Sequence, residues 1–190
     1  MISRIDHISI AVKHYEKARH FFQHLFGAIP GAGDINHEKK YFWQIFSLGD
    51  LSRLELIHPT GPKGLLEKYL GNKDGGVHHI SLQTPDIQKA RQKLEDHGVP
   101  YFGYNEYGDF WKEIFIHPRD AFGVLIQIAE FNPDDWLDKS KILPKKQKWG
   151  LEKTETGCTL SVAHPGGGKV KLELTAAQIR QLIQELDQYC

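Results

Sequence analysis

Residues 5–26 read IDHISIAVKHYEKARHFFQHLF and residues 77–98 read VHHISLQTPDIQKARQKLEDHG, and the fold turns on how these two stretches align, without a gap, at an offset of 72. His-Ile-Ser at 7–9 falls on His-Ile-Ser at 79–81, and Lys-Ala-Arg at 17–19 falls on Lys-Ala-Arg at 89–91. The same offset carries Leu54-Glu55-Leu56 onto Ile126-Gln127-Ile128. One register kept from end to end of each copy marks an internal duplication.

Each copy opens on period-two alternation. In the first, Ile8, Ile10 and Val12 take one side and His7, Ser9 and Ala11 the other, the pattern of a strand with one apolar face. A helix follows, with an apolar stripe of Tyr15, Ala18, Phe22, Leu25 and Phe26 ended by Gly27. The second copy has Ile87, Ala90 and Leu94 ended by Gly98, with Thr84 as the expected N-cap and Pro85 at the first helical position. Three strands complete each unit, the clearest at 41–48 and 51–58, then at 110–116 and 122–129. The unit is βαβββ. The expected fold class is α+β, with a domain over 1–130 made of module 1 (about 1–60), a connecting helix in 61–73 and module 2 (about 74–130). Residues 131–149, polar and broken by Pro133 and Pro144, read as a linker. Residues 150–190 read as a β-hairpin–helix appendage. Its strands lie at 157–163 and 169–174, its turn at 164–168, and its helix at 176–188, where Thr175 and Gln178 have capping-box spacing. The glycines 166–168 lack the strand–loop–helix setting and the lysine of a phosphate-binding loop, so they read as a hairpin turn.

Lys+Arg and Asp+Glu balance at 24 each, so no global field recruits nucleic acid or an anionic membrane. No apolar run reaches membrane-spanning length and no apolar signal region opens the chain. Cys158 and Cys190 lie far apart in the tail, which fits a reduced, cytoplasmic setting better than a disulfide framework. The unusual count is eleven histidines, which directs attention to metal ligands.

A pseudo-twofold axis between two half-sheets brings repeat-related residues together. His7 and His79 lie opposite Ile8/Ile10 and Ile80/Leu82, and Glu55 and Gln127 lie opposite Leu54/Leu56 and Ile126/Ile128. A lone strand histidine is usually structural; two histidines and a Glu/Gln pair at equivalent inward positions define a ligand set. Two imidazoles, a carboxylate and an amide oxygen suit one divalent ion such as Co, Ni, Mn, Fe or Zn. The expected architecture is therefore two tandem βαβββ modules forming a curved mixed sheet around a metal-binding cavity. His78 has the opposite parity and is expected to be structural. His58 and His117, at strand ends, are expected in turns, and Glu130 is expected to point away. Trp43, Phe110 and Trp111 are candidate pocket walls.

IDHISIAV (5–12), LELIHPTG (54–61), GGVHHISLQTPDI (75–87) and IFIHPRDAFGVLIQI (114–128) resemble, in order and spacing, segments of the vicinal oxygen chelate superfamily. That superfamily holds glyoxalases, extradiol dioxygenases and methylmalonyl-CoA epimerases, and the likeness, over about residues 4–130, is to the epimerases. It implies a metal on His7, Glu55, His79 and Gln127, an acyl-CoA or other carbonyl substrate, a homodimer, and two carboxylates that move a proton α to the carbonyl. Gln127 departs from the glutamate usual at its position. Glu55 and Glu38 are then the candidate catalytic pair, Glu38 by counting back from Glu55. Phe122 replaces a common glycine and is expected to narrow the pocket. The leading expectation is a metal-dependent epimerase or isomerase, possibly of methylmalonyl-CoA in substrate. The alternatives are a glyoxalase-type lyase, an Fe(II) dioxygenase and a non-catalytic small-molecule binding protein.

Overall fold

The computed structural model describes residues 1–49, 52–164 and 166–189. Leu51 at the start of an expected strand, Pro165 in the expected turn and Cys190 lie outside the described residues. Residues 1–138 and 139–190 form two compact units.

In the first unit the duplication is explicit. Strand β1 (Arg4–Val12), helix α1 (Tyr15–His20), and strands β2 (Ile29–Asn36), β3 (Tyr41–Leu48) and β4 (Ser52–Pro59) make one βαβββ module. After the short connecting helix α2 (Leu65–Leu70), strand β5 (Gly75–Gln83), helix α3 (Ile87–Asp96), and strands β6 (Phe102–Tyr107), β7 (Trp111–Ile116) and β8 (Ile126–Glu130) make the other. All eight strands join in one mixed sheet of order β2-β3-β4-β1-β5-β8-β7-β6. The modules meet where β1 runs antiparallel to β5, and each module's last strand runs parallel to its first.

Alternation puts the two halves of each strand's chemistry on different sides. Leu54, Leu56 and Phe46 pack with Tyr15, Ala18 and Phe22 under α1, and Ile114, Ile116 and Ile128 pack with Ile87, Ala90 and Leu94 under α3. Burying each of the fully enclosed leucines, isoleucines and Phe46 among them stabilises the fold by about 1.5–3 kcal/mol.

Several expectations are corrected. The first helix becomes a π turn over Phe21–Leu25, and the wider turn rotates Leu25 and Phe26 into solvent, off the buried stripe. The N-cap of α3 is Asp86, whose side chain accepts from the Lys89 N–H, while the Thr84 hydroxyl is engaged with the Met1 carbonyl. The last strand begins at Ile126 rather than 122. Residues 118–120 form a 3-10 turn, and Phe122 (φ 55°) and Gly123 (φ 89°) sit in the left-handed region, which a strand does not admit. Phe122 is fully exposed and does not narrow any pocket; its backbone explains why glycine suits the position. Residues 133–136 form a 3-10 turn that buries Trp136 against Phe131 and Ala129.

The second unit is a three-stranded antiparallel sheet, β11-β10-β9, followed by helix α4 (Ala176–Leu186). Strands β10 (Gly157–Ala163) and β11 (Lys169–Thr175) form the expected hairpin; β9 (Trp149–Lys153) is an added strand, pairing Leu151 with Leu160 and Trp149 with Val162. Thr175 and Gln178 form the capping box.

Candidate metal centre and cavity

Two serines hold the geometry together. Ser9 on β1 is paired with Glu55 on one side and His79 on the other, and Ser81 on β5 is paired with Gln127 and His7. Ser9 and Ser81 are themselves repeat equivalents, completely buried, and too small to fill the space between their neighbours. The four longer side chains therefore converge over them.

His7, Glu55 and His79 bring one potential ligand atom each to within 4.8 Å of one another. The Glu55 Oε2 atom is 3.8 Å from His7 Nε2 and 3.6 Å from His79 Nε2. Those separations are long for hydrogen bonds but natural for donors sharing a centre, since metal–ligand bonds of about 2.0–2.2 Å put donor atoms roughly 3–4 Å apart. His7 Nε2, Glu55 Oε2, His79 Nε2 and Gln127 Oε1 are all buried without a hydrogen-bond partner. Leaving a buried polar atom unsatisfied costs about 1–3 kcal/mol, and one divalent ion would satisfy all four. The donor set fits such an ion.

The surroundings fix each donor. The Nδ1 atom of His7 lies 2.7 Å from Asp6 Oδ2, while Asp6 Oδ1 accepts from Arg4 (2.8 Å) and Arg53 (2.7 Å). With Asp6 held as an anion, His7 donates from Nδ1 and presents a bare Nε2. Burial acts to lower the His7 imidazole, but the Asp6 hydrogen bond and the Glu55 charge carry it above its usual value. His79 Nδ1 lies 3.0 Å from His78 Nδ1. Burial, with His7 and His78 nearby, holds His79 well below the usual range, and burial pushes His78 down to about 4. Burial raises the Glu55 carboxyl, against the opposing pull of His7.

Gln127 donates from Nε2 to Glu113 Oε2 at 2.8 Å, which turns its Oε1 away from Glu113. Glu113 is buried, and also accepts from Trp111 Nε1 at 2.8 Å and Asn105 Nδ2 at 3.1 Å. It lines the same cavity as His7, Glu55 and Gln127, a space of about 340 Å³. The parity test that singled out Glu55 finds Glu113 too: it alternates with Ile114 and Ile116, which pack under α3. Glu38, by contrast, sits exposed in the turn between β2 and β3, outside the cavity lining. Trp43, Phe110 and Trp111 do line the cavity, joined by Trp136. His117 accepts from the Arg119 N–H at a turn, and Glu130 binds Lys112 and the first N–H of α3.

The family model described as Glyoxalase/Bleomycin resistance protein/Dioxygenase superfamily matches residues 6–115, more than half of the chain. The chain belongs to this superfamily. It is 33% identical over 137 residues to the ethylmalonyl-CoA/methylmalonyl-CoA epimerase of Cereibacter sphaeroides, covering 68% of this chain and 99% of that one. It is 30% identical over 132 residues to the mitochondrial methylmalonyl-CoA epimerase of Bos taurus, covering 68% and 75%. Among solved structures, a Streptomyces coelicolor methylmalonyl-CoA epimerase variant in complex with 2-nitronate-propionyl-CoA superposes with a TM-score of 0.63 at 27% identity, covering 69% of this chain and 99% of that one. The relatives it matches are named as epimerases, and a solved epimerase shares its fold. No helix among the described residues is long and apolar enough to cross a membrane.

Proposed function

We propose that this protein is a metal-dependent epimerase that removes and returns a proton on the carbon next to a thioester carbonyl. One divalent ion (Co, Ni, Mn, Fe or Zn) would be held by His7, Glu55, His79 and Gln127. The observation that carries this reading is a set of four buried, unpartnered donor atoms on repeat-related strands, of which those of His7, Glu55 and Gln127 belong to residues lining a cavity that a further carboxylate also faces. Such an ion, when bound, stabilises negative charge developing on the carbonyl oxygen.

The chain's own residues supply the proton transfer. Glu55 takes the α-proton, its buried carboxylate facing the cavity beside the point where the carbonyl would be held. Glu38, its expected companion, stands in the exposed turn. Glu113 comes from the other half of the sheet, its oxygens fixed by Trp111, Asn105 and Gln127; a proton that it takes up from solvent goes to the second side of the carbon, and the one on Glu55 then leaves to solvent. The surrounding indoles keep water from the exposed intermediate carbon. As the relatives are named for methylmalonyl-CoA and ethylmalonyl-CoA, an acyl-CoA is the substrate class proposed.

The test is metal analysis of the purified protein followed by solvent-deuterium exchange into methylmalonyl-CoA. Stoichiometric metal and exchange that a chelator abolishes are expected; no bound metal and no exchange into any acyl-CoA would overturn the reading. Gln127 supports one other reading, a non-catalytic small-molecule binding protein, because an amide cannot shuttle a proton. Metal binding without exchange would favour it. We further propose a homodimer. The tail's sheet leaves Trp149, Leu151, Val162, Val170 and Leu172 exposed along one face, apolar surface that a second copy would cover. Light scattering should give twice the 21.8 kDa of one chain.

A further inference from the structure

The cavity is walled by more aromatic surface than a small dicarboxylate would use. Beyond His7, Glu55 and Gln127, its sides are Trp43, Trp111, Trp136 and Phe110, with Tyr41 and Tyr107 beside them. The rings form a connected wall: Trp136 lies 5.4 Å from Trp43, 5.0 Å from Trp111 and 4.6 Å from Phe110, centroid to centroid, at tilts of 38–64°. Tilted rings at these spacings leave ring faces and edges that another ring can complete by stacking or edge contact. The wall is also uneven in exposure. Trp136 is 7% exposed and rigidly packed, whereas Phe110 and Tyr107 are 52% and 50% exposed. Large aromatic side chains left in water around a cavity are surface that a ligand can cover.

Size and charge point the same way. The cavity holds about 340 Å³, inside the range of roughly 300–1,000 Å³ that accommodates drug-sized ligands. A methylmalonyl group occupies on the order of 150 Å³ at protein-like packing density, which leaves more than half of the space empty. Besides Asp6, Glu55 and Glu113, Asp34 is the one further carboxylate among the described lining residues, and no lysine or arginine stands among them. A carboxylate lodged against that aromatic wall would be buried without a cation beside it, and an uncharged ring needs none.

We propose that the preferred substrate's α-carbon carries an uncharged aromatic group, seated against Trp43, Trp111, Trp136 and Phe110, so that the site favours arylacyl thioesters over those with a small α-substituent. The inference rests on the reading that a thioester carbonyl is held at the four-donor cluster. It adds the identity of the group that fills the rest of the cavity.

The test uses three probes, 2-phenylpropionyl-CoA, propionyl-CoA and methylmalonyl-CoA, on the full-length protein with and without added Co(II). Affinity is read by calorimetry and by quenching of tryptophan fluorescence. Solvent-deuterium exchange into each thioester is followed on the metal-loaded samples. 2-Phenylpropionyl-CoA is expected to bind at least tenfold more tightly than propionyl-CoA, with and without metal. That advantage should shrink severalfold in Phe110→Ala and in Trp136→Ala. Phe110 is half exposed, so its truncation reads the wall even where loss of the buried Trp136 harms folding. Equal affinity for the ringed and ringless probes, tightest binding of methylmalonyl-CoA, or an advantage untouched by Phe110→Ala would each overturn the inference. Exchange into methylmalonyl-CoA without any ring preference would overturn it while leaving the proton-transfer reading in place. A ring preference with no exchange into any probe would support the aromatic wall and remove the proton-transfer reading.

Discussion

In the first half of the sheet Asp6 is the extra residue in β1, where Ile5 pairs with Leu82 and His7 with Ser81; in the second half His78 is the extra residue in β5, where Ser9 pairs with His79 and Ile10 with Val77. The two bulges are repeat equivalents, each one residue before a candidate ligand. In a regular strand, neighbours point to opposite faces; a bulge breaks that rule and lets two successive side chains meet. Each bulge residue uses this to reach the Nδ1 atom of the histidine that follows it. The chemistry then diverges. Asp6 is an anion braced by Arg4 and Arg53, and it carries His7 upward in pKa. His78 is a neutral ring pushed down to about 4, and it leaves His79 lowered as well. The second difference sits at Glu55 and Gln127, one an acid and the other an amide. One backbone device has thus been kept twice while its charges were redistributed, with carboxylates at Asp6 and Glu55 in one half and Glu113 in the other.

The largest expected effect comes from making the halves chemically alike. Glu55→Gln should lower α-proton exchange by about 10²–10⁴-fold, the usual contribution of a positioned acid or base, and Gln127→Glu should preserve or raise it. Deuterium incorporation into an exchanging acyl-CoA, followed by mass spectrometry, reads both. Unimpaired exchange in Glu55→Gln would move the base role elsewhere, with Glu113 the next group to replace. A wild type that exchanges nothing and a Gln127→Glu variant that does would show a site kept while its chemistry was given up.

Next in size is loss of a donor. His7→Ala and His79→Ala should each weaken metal binding by at least about 100-fold, beyond what outer partners of a ligand contribute. Metal content after dialysis is the measurement, and retention of stoichiometric metal in either variant would remove that residue from the ligand set.

The duplication, both modules and the approach of His7, Glu55 and His79 to one another are legible because they are written in period and offset. Bulges are not. Parity counted along a regular strand keeps His78 and Asp6 apart from the histidines that follow them, and nothing in HHIS or DHIS announces the extra residue that brings each within reach of the next ring. Glu113 obeys parity and is legible on that ground, but the repeat does not mark it, because its counterpart in the other copy is Tyr41. Trp136 was hidden by its setting, a polar, proline-bearing stretch in which one indole folds back onto the sheet.

The bulge residues supply the next comparison. Asp6→Asn should weaken metal binding by about 10–100-fold, and His78→Ala by less than about tenfold, since a charged partner orients and polarises an imidazole more strongly than a neutral one. Asp6→Asn also leaves Arg4 and Arg53 facing a neutral group, so it should lower the melting temperature where His78→Ala barely does. Calorimetric titration with Co(II) ranks the two. An equal loss of affinity would mean that the histidines are held by packing alone, with the partner's charge irrelevant.

The smallest effect, and the one that reads the charge difference directly, is the pH dependence of the metal-free protein between pH 7 and 5. His78 and His79 have folded values below the ordinary histidine value, so the unfolded chain takes up protons that the folded chain refuses. Their stabilising contribution is complete above about pH 6.5 and falls below it, by about 1.4 kcal/mol per histidine per pH unit at most. His7 has the opposite sign: its raised value makes its contribution complete below about 6.5 and lost as pH climbs through the folded value. Glu55, also raised, acts in the same sense as His7. Acidification therefore sets one half of the sheet against the other. His78→Asn removes a contribution that falls on acidification, so its melting temperature should drop less from pH 7 to 5 than that of the wild type. His7→Asn removes one that is kept, so its melting temperature should drop more. Parallel slopes in all three proteins would show that Asp6 and His78, for all their difference in charge, leave the two imidazoles in equivalent electrostatic surroundings.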